Sequence, residues 1–330
     1  MVRGPRGPRS VLIDARAAAR PELGGVERWA RELTARLPAL RPERYAVAQP
    51  PQALSHRLGH AWEQAWLPVA ARRVQWLLCP ANLAPLAARN TAVVIHDAAA
   101  LREPSWYSDL YVRWQRLVLP RIARRARLVI TVSEFSRGEL RELLGVDAAV
   151  VPGGIDERFR ADAEPARFER PYVLTVASRT ARKNLGALEE CARRLQAKGM
   201  ELVAAGGDRP QFRDEGGASA VRSVGHVPDD QLPGLYAGAE CFVLPSLYEG
   251  FGLPCVEAMA CGTPVVASNA GALPETCGDA ALLVDPSDQT AIADAVERAI
   301  GDERLRAAGL ARAARFSWDR TVGEIDALLT

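Results

Sequence analysis

The chain reads as an α/β protein made of two doubly wound parallel-sheet halves. Short apolar runs suited to buried strands alternate with helical stretches from one end of the chain to the other. Its 330 residues are enough for two domains, and 48% hydrophobic residues supply a core for each. A net charge of +2 gives no bulk attraction to nucleic acid.

Residues 1–9 are basic and rich in Gly and Pro, with no apolar stretch after them, so they read as a tail and not as a secretion signal. Residues 10–14 form the first strand. Gly24 and Gly25 precede an amphipathic helix over 26–37, with Trp29, Leu33 and Leu37 on one stripe. A strand leading through a glycine turn into a helix is phosphate-facing geometry, although Gly-Gly also serves as an ordinary turn. No Gly-x-Gly-x-x-Gly follows a strand, which argues against a standard dinucleotide site.

Residues 45–48 are a second strand and 74–79 another. Between them, His56 and His60 stand four apart, as do Trp62 and Trp66. The histidines mimic a helical metal pair but lack a third ligand nearby. The tryptophans suit packing or the wall of a cleft. Residues 91–96 are an apolar strand ending in His96-Asp97, a polar pair where an α/β sheet faces its crevice. Residues 107–127 are helical and carry Arg113, Arg116, Arg121, Arg124, Arg125 and Arg127, with Pro120 expected to kink or split the helix. Such a face suits anionic lipid or simply solvent. Residues 128–132 are a strand, Ser133 caps the next helix, and 148–151 are a strand broken by Pro152-Gly153-Gly154. The polar stretch 158–170 reads as an interdomain linker.

The second half opens with a strand at 173–176 and the loop Ser178-Arg179-Thr180-Ala181-Arg182-Lys183-Asn184. Helix starts favour acids, so three cations between a strand and a helix start suggest a bound anion. Further strands are expected at 201–205, 240–244, 265–267 and 281–284, and 223–227 reads as strand or loop. Helices are expected at 229–238, 289–300 and 302–314, with another after Trp318. The six cysteines (Cys79, Cys191, Cys241, Cys255, Cys261, Cys277) form no C-x-x-C pair, so neither a zinc knuckle nor a redox motif is indicated. Reduced thiols and a cytosolic setting follow as the expectation. No apolar run is long enough to span a membrane.

The most informative stretch runs from Leu244 through Glu249-Gly250-Phe251-Gly252-Leu253-Pro254 and Glu257 to Gly262, Pro264 and Ala267. It reads as strand, loop, helix, turn and strand. Gly250 and Gly252 permit a tight bend and close approach of a ligand. Pro254 fits a helix start, and the amides near Leu253 can accept an anion. Glu257 is placed in the first helical turn, where an acid is also favourable without a ligand. Glu249 also reads as a solvated loop residue.

Two glutamates eight apart around Gly-Phe-Gly-x-Pro resemble the donor motif of retaining glycosyltransferases of family 4. The likeness extends over most of the second half, through Arg182-Lys183-Asn184, Gly225-His226-Val227, Leu235-Tyr236-Ala237-Gly238-Ala239 and Asp285-Pro286. It is thinner in the first half, at Gly24-Gly25-Val26-Glu27-Arg28, His96-Asp97, Thr131 to Ser136 and Gly154-Ile155-Asp156. The stretch from Trp62 to Pro68, followed by His96-Asp97, looks like a bacterial subgroup that builds cell-surface polysaccharides, often with mannose or rhamnose.

That resemblance implies the GT-B fold: two Rossmann-like domains facing a cleft, with the acceptor on the first and a nucleotide sugar on the second. It implies domains over 1–165 and 166–315, and a C-terminal helix over 316–330 packing back on the first. Carried over by position, Lys183 would bind the donor diphosphate with Arg179 or Arg182 beside it. Glu249 would contact the donor sugar and Glu257 the ribose. Amides from Gly250, Phe251, Gly252 and Leu253 would bind sugar hydroxyls or phosphate. His226 and Val227 would lie near the base. Gly24 and Gly25 would let a loop approach the phosphates, and His96 would contact the sugar. The catalytic set is then His96, Lys183 and Glu249. Retention without a side-chain nucleophile is implied, with GDP-mannose as a guessed donor and a glycan or lipid-linked acceptor. No Asp-x-Asp is present, so no metal or other cofactor is expected. Membrane contact would be peripheral, at the inner face. The alternatives are a nucleotide-sugar epimerase or hydrolase on the same fold, and a non-catalytic nucleotide-sugar-binding subunit.

Overall fold

The computed structural model describes residues 10–20, 24–51, 59–207 and 219–330. The tail at 1–9 and His56 therefore lie outside the described residues. The chain divides into two compact units. Unit 1 holds residues 1–102, 113–154 and 318–330, and unit 2 holds 103–112 and 155–317. The division thus falls at Gly154/Ile155 and Ser317/Trp318, where the sequence placed it after 165 and 315. The short segment 103–112 belongs with unit 2. Trp106 makes an edge contact with Tyr248 at 6.4 Å between ring centroids, a link that periodicity over 107–127 does not reveal.

Unit 1 contains β1 (Val11–Asp14), α1 (Gly25–Leu40), β2 (Tyr45–Ala48), α2 (Gly59–Ala65), α3 (Leu67–Ala71), β3 (Trp76–Cys79), β4 (Thr91–Val94) and α4 (Ala99–Arg102). The helix α5 (Asp109–Arg125) is followed by β5 (Leu128–Thr131), α6 (Glu134–Leu144) and β6 (Ala149–Val150). The strands form one parallel sheet in the order β2-β1-β3-β4-β5-β6. Leu12, Leu77, Val93 and Val129 lie on one face of it, in a core shared with Leu119, Ile122 and Ala123 of α5 and Leu140 and Leu144 of α6. Ser133 caps α6 by accepting from the Ser136 amide at 3.0 Å, and Gly145 ends it at φ +67°. The last helix, α13 (Trp318–Leu328), packs on α1. There Trp318 meets Trp29 edge to face at 5.5 Å, and Asp326 takes Arg44 at 2.9 Å and the Tyr45 hydroxyl at 2.5 Å.

Pro120 does not split α5, which runs unbroken from Asp109 to Arg125. A proline removes one amide and crowds the preceding turn, but here that turn faces water at Arg116 and Leu117. The Arg121 guanidinium also donates to the Leu117 carbonyl in that exposed turn.

Unit 2 contains β7 (Tyr172–Val176), α7 (Glu189–Ala197), β8 (Glu201–Ala205), β9 (Arg222–Gly225), α8 (Leu232–Ala237), β10 (Cys241–Leu244) and α9 (Leu253–Ala260). It continues through β11 (Val265–Ser268), α10 (Leu273–Cys277), β12 (Leu282–Val284), α11 (Gln289–Ala299) and α12 (Glu303–Ala313). Its parallel sheet has the order β12-β11-β10-β7-β8-β9. Leu174, Val203, Phe242 and Val265 pack on one face, and Val173, Leu202, Val243 and Val266 on the other. Burial on both faces explains why these strands read as continuous apolar runs.

The chain winds outward from β7 through β8 to β9, then crosses back to β10 and winds the other way. The reversal lies between β7 and β10. In an open α/β sheet the crevice for ligands forms there, beyond the carboxyl ends of the strands. In unit 1 the same reversal lies between β1 and β3.

Candidate functional site

The loops that leave β7 and β10 flank the reversal point of unit 2, and they are laced together. The Leu247 amide donates to the Arg182 carbonyl at 2.8 Å. Asn184, held at φ +53°, donates its side-chain amide to the Pro245 carbonyl at 3.1 Å and the Pro286 carbonyl at 2.8 Å. Across this junction Lys183 Nζ lies 2.5 Å from Glu249 Oε1. Both residues are buried, at 9% and 6% exposure. Glu249 is also fixed through its backbone. The Ala272 amide donates to its carbonyl at 2.9 Å, and a Cβ at Gly271 would come within 2.6 Å of its nitrogen.

Burial holds the Lys183 ammonium below its ordinary range, against the opposing pull of Glu249, and the Arg182 charge lowers it further. Burial alone would raise the Glu249 carboxyl, but Lys183 and Arg182 outweigh that and leave it below the usual carboxylate range. The pair is therefore a carboxylate against two cations. Arg182, half-buried, is the arginine whose charge these groups feel. Arg179 is exposed and its guanidinium donates to Ser223 Oγ at 3.2 Å.

The cationic loop does not open a long helix. Residues Ala181–Lys183 form a 3-10 turn, Leu185–Leu188 form another, and α7 begins only at Glu189. Arg182 and Lys183 thus stand at the end of a turn, where cations are favourable in their own right. The anion argument then rests on their burial against Glu249, not on a helix start.

After Glu249 the chain bends at Gly252, φ +95°, where a Cβ would lie 2.5 Å from Leu273 Cδ2. Only glycine fits that bend without strain. Leu253 and Pro254 then open α9, where Pro254 brings no N–H and the Cys255 amide donates to the Gly252 carbonyl at 3.0 Å. Phe251 packs edge to face on Phe316 at 5.5 Å. Glu257 is the fifth residue of α9, outside the first turn expected for it, so the helix dipole does not account for this acid. Glu257 is 3% exposed, and its Oε2 accepts from the Tyr236 hydroxyl at 3.0 Å. Tyr236 stands 21 residues before Glu257, with no motif that links the two. Its role as the partner of Glu257 required the fold.

His226 and Val227 follow β9 and line a cavity of about 990 Å³ in unit 2, together with Pro228, Asp230, Arg158 and Glu164. Gly225, at φ +72°, turns the chain there.

In unit 1, Gly24 precedes α1, and its amide donates to Glu27 Oε2 at 3.0 Å. A Cβ added at Gly25 would meet nothing within 4 Å, so internal packing does not demand glycine. His96 is 7% exposed and follows β4. Its Nε2 is 3.0 Å from the Pro80 carbonyl and its ring meets Trp29 edge to face at 5.3 Å. Burial lowers its pKa below the usual value, so the ring is neutral. Bonding to a carbonyl makes Nε2 the protonated nitrogen and leaves Nδ1 an acceptor.

A second charged group was not anticipated. Asp14, Arg16 and Glu63 are 3%, 4% and 0% exposed at the carboxyl end of β1. Arg16 Nε pairs with Glu63, and the Arg16 amide donates to Asp14 Oδ1 at 2.9 Å. Burial, and the Glu63 charge with it, pushes the Asp14 carboxyl up to about 7. Among the described residues no three His, Cys, Asp or Glu side chains group as metal ligands would. Among the described residues no helix is long and apolar enough to cross a membrane.

Residues 170–302 match the family model for glycosyl transferases group 1, and residues 75–159 match that for glycosyltransferase family 4. The O-antigen chain mannosyltransferase B of Escherichia coli is 32% identical over 299 residues, covering 82% of this chain and 78% of that protein. The GDP-mannose-dependent alpha-(1-6)-phosphatidylinositol monomannoside mannosyltransferase of Mycolicibacterium smegmatis is 32% identical over 277 residues, covering 76% and 70%. In fold, the chain is similar to the sucrose-phosphate synthase of Thermosynechococcus elongatus, with a TM-score of 0.75 at 21% identity over 97% of this chain and 98% of that one.

Proposed function

Because the chain belongs to glycosyltransferase family 4, we propose that this hexosyltransferase takes mannose from GDP-mannose and attaches it, with retention, to a glycan or lipid-linked acceptor. The observation that carries the donor site is the buried Lys183–Glu249 pair at the reversal point of the unit 2 sheet. The mannosyltransferase relatives support the sugar, and one of them is named as GDP-mannose-dependent.

In the reaction the bond from the anomeric carbon to the diphosphate oxygen breaks, and a bond from an acceptor hydroxyl oxygen to that carbon forms. The acceptor proton leaves with the diphosphate. Negative charge grows on the leaving group, where fixed cations and amides in a dry site act most strongly. Lys183 and Arg182 supply the cations, and the start of α9 supplies amides. The assignment gives this charge to protein groups and to no metal. Glu249, which holds Lys183 in place, is assigned to the sugar, and Glu257 to the ribose hydroxyls. His226 and Val227 are assigned to the base. His96 would accept a sugar hydroxyl at Nδ1. Gly24 and Gly25 are assigned to the close approach of a phosphate to the backbone.

Calorimetry against a panel of nucleoside diphosphate sugars tests the donor. GDP-mannose should bind best, and transfer to a mannoside acceptor should proceed in the presence of EDTA with an α-linked product by NMR. Preference for another donor, a β-linked product, or an epimerised donor formed without acceptor would each overturn the corresponding part of the proposal.

A further inference from the structure

The buried charges of unit 1 are not used by the transfer as assigned above. β1 ends at Asp14, and Arg16 follows it at the carboxyl edge of the sheet, beside the reversal between β1 and β3. The pairing of Ile13 with Leu78 sets Asp14 next to Cys79, the last residue of β3. His96 reaches back to the Pro80 carbonyl, one residue further on. The charged group and His96 therefore share one crevice of unit 1.

The group is held firmly from behind. Gln64 of α2 donates to the Ala84 carbonyl at 3.2 Å and accepts from the Leu86 amide at 3.0 Å, which pins the helix to the chain after β3. Gln64 also donates to Glu63 Oε1 at 3.1 Å, and Glu63 Oε2 takes Arg16 Nε. Both oxygens of Glu63 are thus occupied. The front differs. Asp14 Oδ1 accepts the Arg16 amide at 2.9 Å, but among the described residues Asp14 Oδ2 and Arg16 Nη1 and Nη2 take no hydrogen bond. None of these three is among the side-chain atoms sealed from solvent without a partner. A carboxyl 3% exposed and a guanidinium 4% exposed keep their spare polar atoms at the little solvent contact that remains.

Packing does not explain this arrangement. Two carboxylates stand beside one guanidinium, and burial with Glu63 pushes the Asp14 carboxyl up to about 7. Apolar side chains of similar size would serve the core as well or better. A buried charge kept against the interest of the fold points to a ligand.

We propose that Asp14 and Arg16 form a subsite for a neutral sugar residue of the acceptor, whose hydroxyls donate to Asp14 Oδ2 and accept from the Arg16 Nη groups, with Glu63 as the positioning residue for Arg16. A hydroxyl both donates and accepts, which matches a carboxylate beside a guanidinium. A phosphate would use only the guanidinium and would meet Asp14 and Glu63 as like charges. Arg20 adds no spare cation, because Glu27 takes it at 3.4 Å. The inference rests on the glycosyl transfer proposed above and narrows its acceptor to an uncharged sugar.

The test is acceptor dependence in the full chain, with whichever nucleoside diphosphate sugar binds in the calorimetry above. Methyl glycosides of neutral hexoses are compared with the same glycosides carrying a 6-phosphate, and saturation-transfer NMR follows their binding in parallel. The neutral glycosides should bind and accept, and the phosphorylated ones should do both roughly 10-fold less well or worse. Asp14→Ala should raise the acceptor KM roughly 10- to 100-fold and leave donor affinity unchanged. Asp14→Asn should raise that KM several-fold while melting above the wild type at pH 8, a combination that a purely structural role does not give. Arg16→Met alone strands Glu63, so the paired variant Arg16→Met/Glu63→Gln is used, and it should match Asp14→Ala. An unchanged acceptor KM in Asp14→Ala, preference for the phosphorylated glycosides, or no binding of any neutral glycoside would overturn the proposal. Sugar binding that Asp14→Ala weakens, with no transfer from any donor, would support the subsite and overturn the proposed transfer instead.

Discussion

Lys183 and Glu249 are 66 residues apart in sequence and share a buried contact of 2.5 Å. Neither is stable there alone, because a lone buried charge costs several kcal/mol. Lys183→Met should therefore lower stability by about 3–5 kcal/mol and abolish transfer. The paired variant Lys183→Met/Glu249→Gln should recover most of the stability and none of the activity. Chemical denaturation and a transfer assay measure the two effects separately. Full activity in the paired variant would remove these groups from the donor site.

The two glutamates are assigned to different ends of one ligand, and the structure gives them different neighbours. Glu257 is held by the Tyr236 hydroxyl and Glu249 by Lys183. Glu257→Ala should weaken a nucleoside diphosphate lacking any sugar by roughly 10- to 100-fold, the scale of lost charge-assisted hydrogen bonds. Glu249→Gln keeps the shape and should lower kcat far more than it weakens that nucleotide. Titration calorimetry with the nucleotide alone, set beside kcat, distinguishes them. Equal loss of nucleotide affinity in both would break the assignment.

Much of this was legible because punctuation residues act locally. Gly250, Gly252, Pro254 and Gly262 mark the bend, start and end of α9 with no knowledge of the fold, and Ser133 marks the start of α6. What stayed hidden depended on partners distant in sequence. The contact of Arg16 with Glu63 and that of Trp106 with Tyr248 leave no periodic trace. The two 3-10 turns that lead from the loop at 178–184 into α7 leave no trace in composition or periodicity. That Pro120 leaves α5 unsplit depends on the disturbed turn facing water, which only the fold reveals.

Gly252 and Gly25 separate two reasons for glycine. Gly252→Ala places a Cβ at φ +95° against Leu273 and should cost about 2 kcal/mol of stability. Gly25→Ala meets no protein atom and should melt at or slightly above the wild-type temperature. If the space beside Gly25 receives a phosphate, the same variant should raise KM for the donor several-fold. Unchanged kinetics would show that the space stays empty in the donor complex.

Asp14 gives a pH signature with a definite sign. Its folded carboxyl titrates at about 7, raised from 3.8 by burial and by Glu63. Between those values the folded chain holds a proton that the unfolded chain has lost. Stability from this group is therefore greatest at low pH and falls as pH rises toward 7, after which it levels. The cost at neutral pH is of order 2–4 kcal/mol. Asp14→Asn, which still offers an oxygen to the Arg16 amide, should remove it. The variant should melt above the wild type at pH 8, with the gap narrowing toward pH 5, in paired thermal scans across that range. A gap that widens toward pH 5 would mean that the ionised carboxylate stabilises Arg16, and that Glu63 alone does not hold that guanidinium in place.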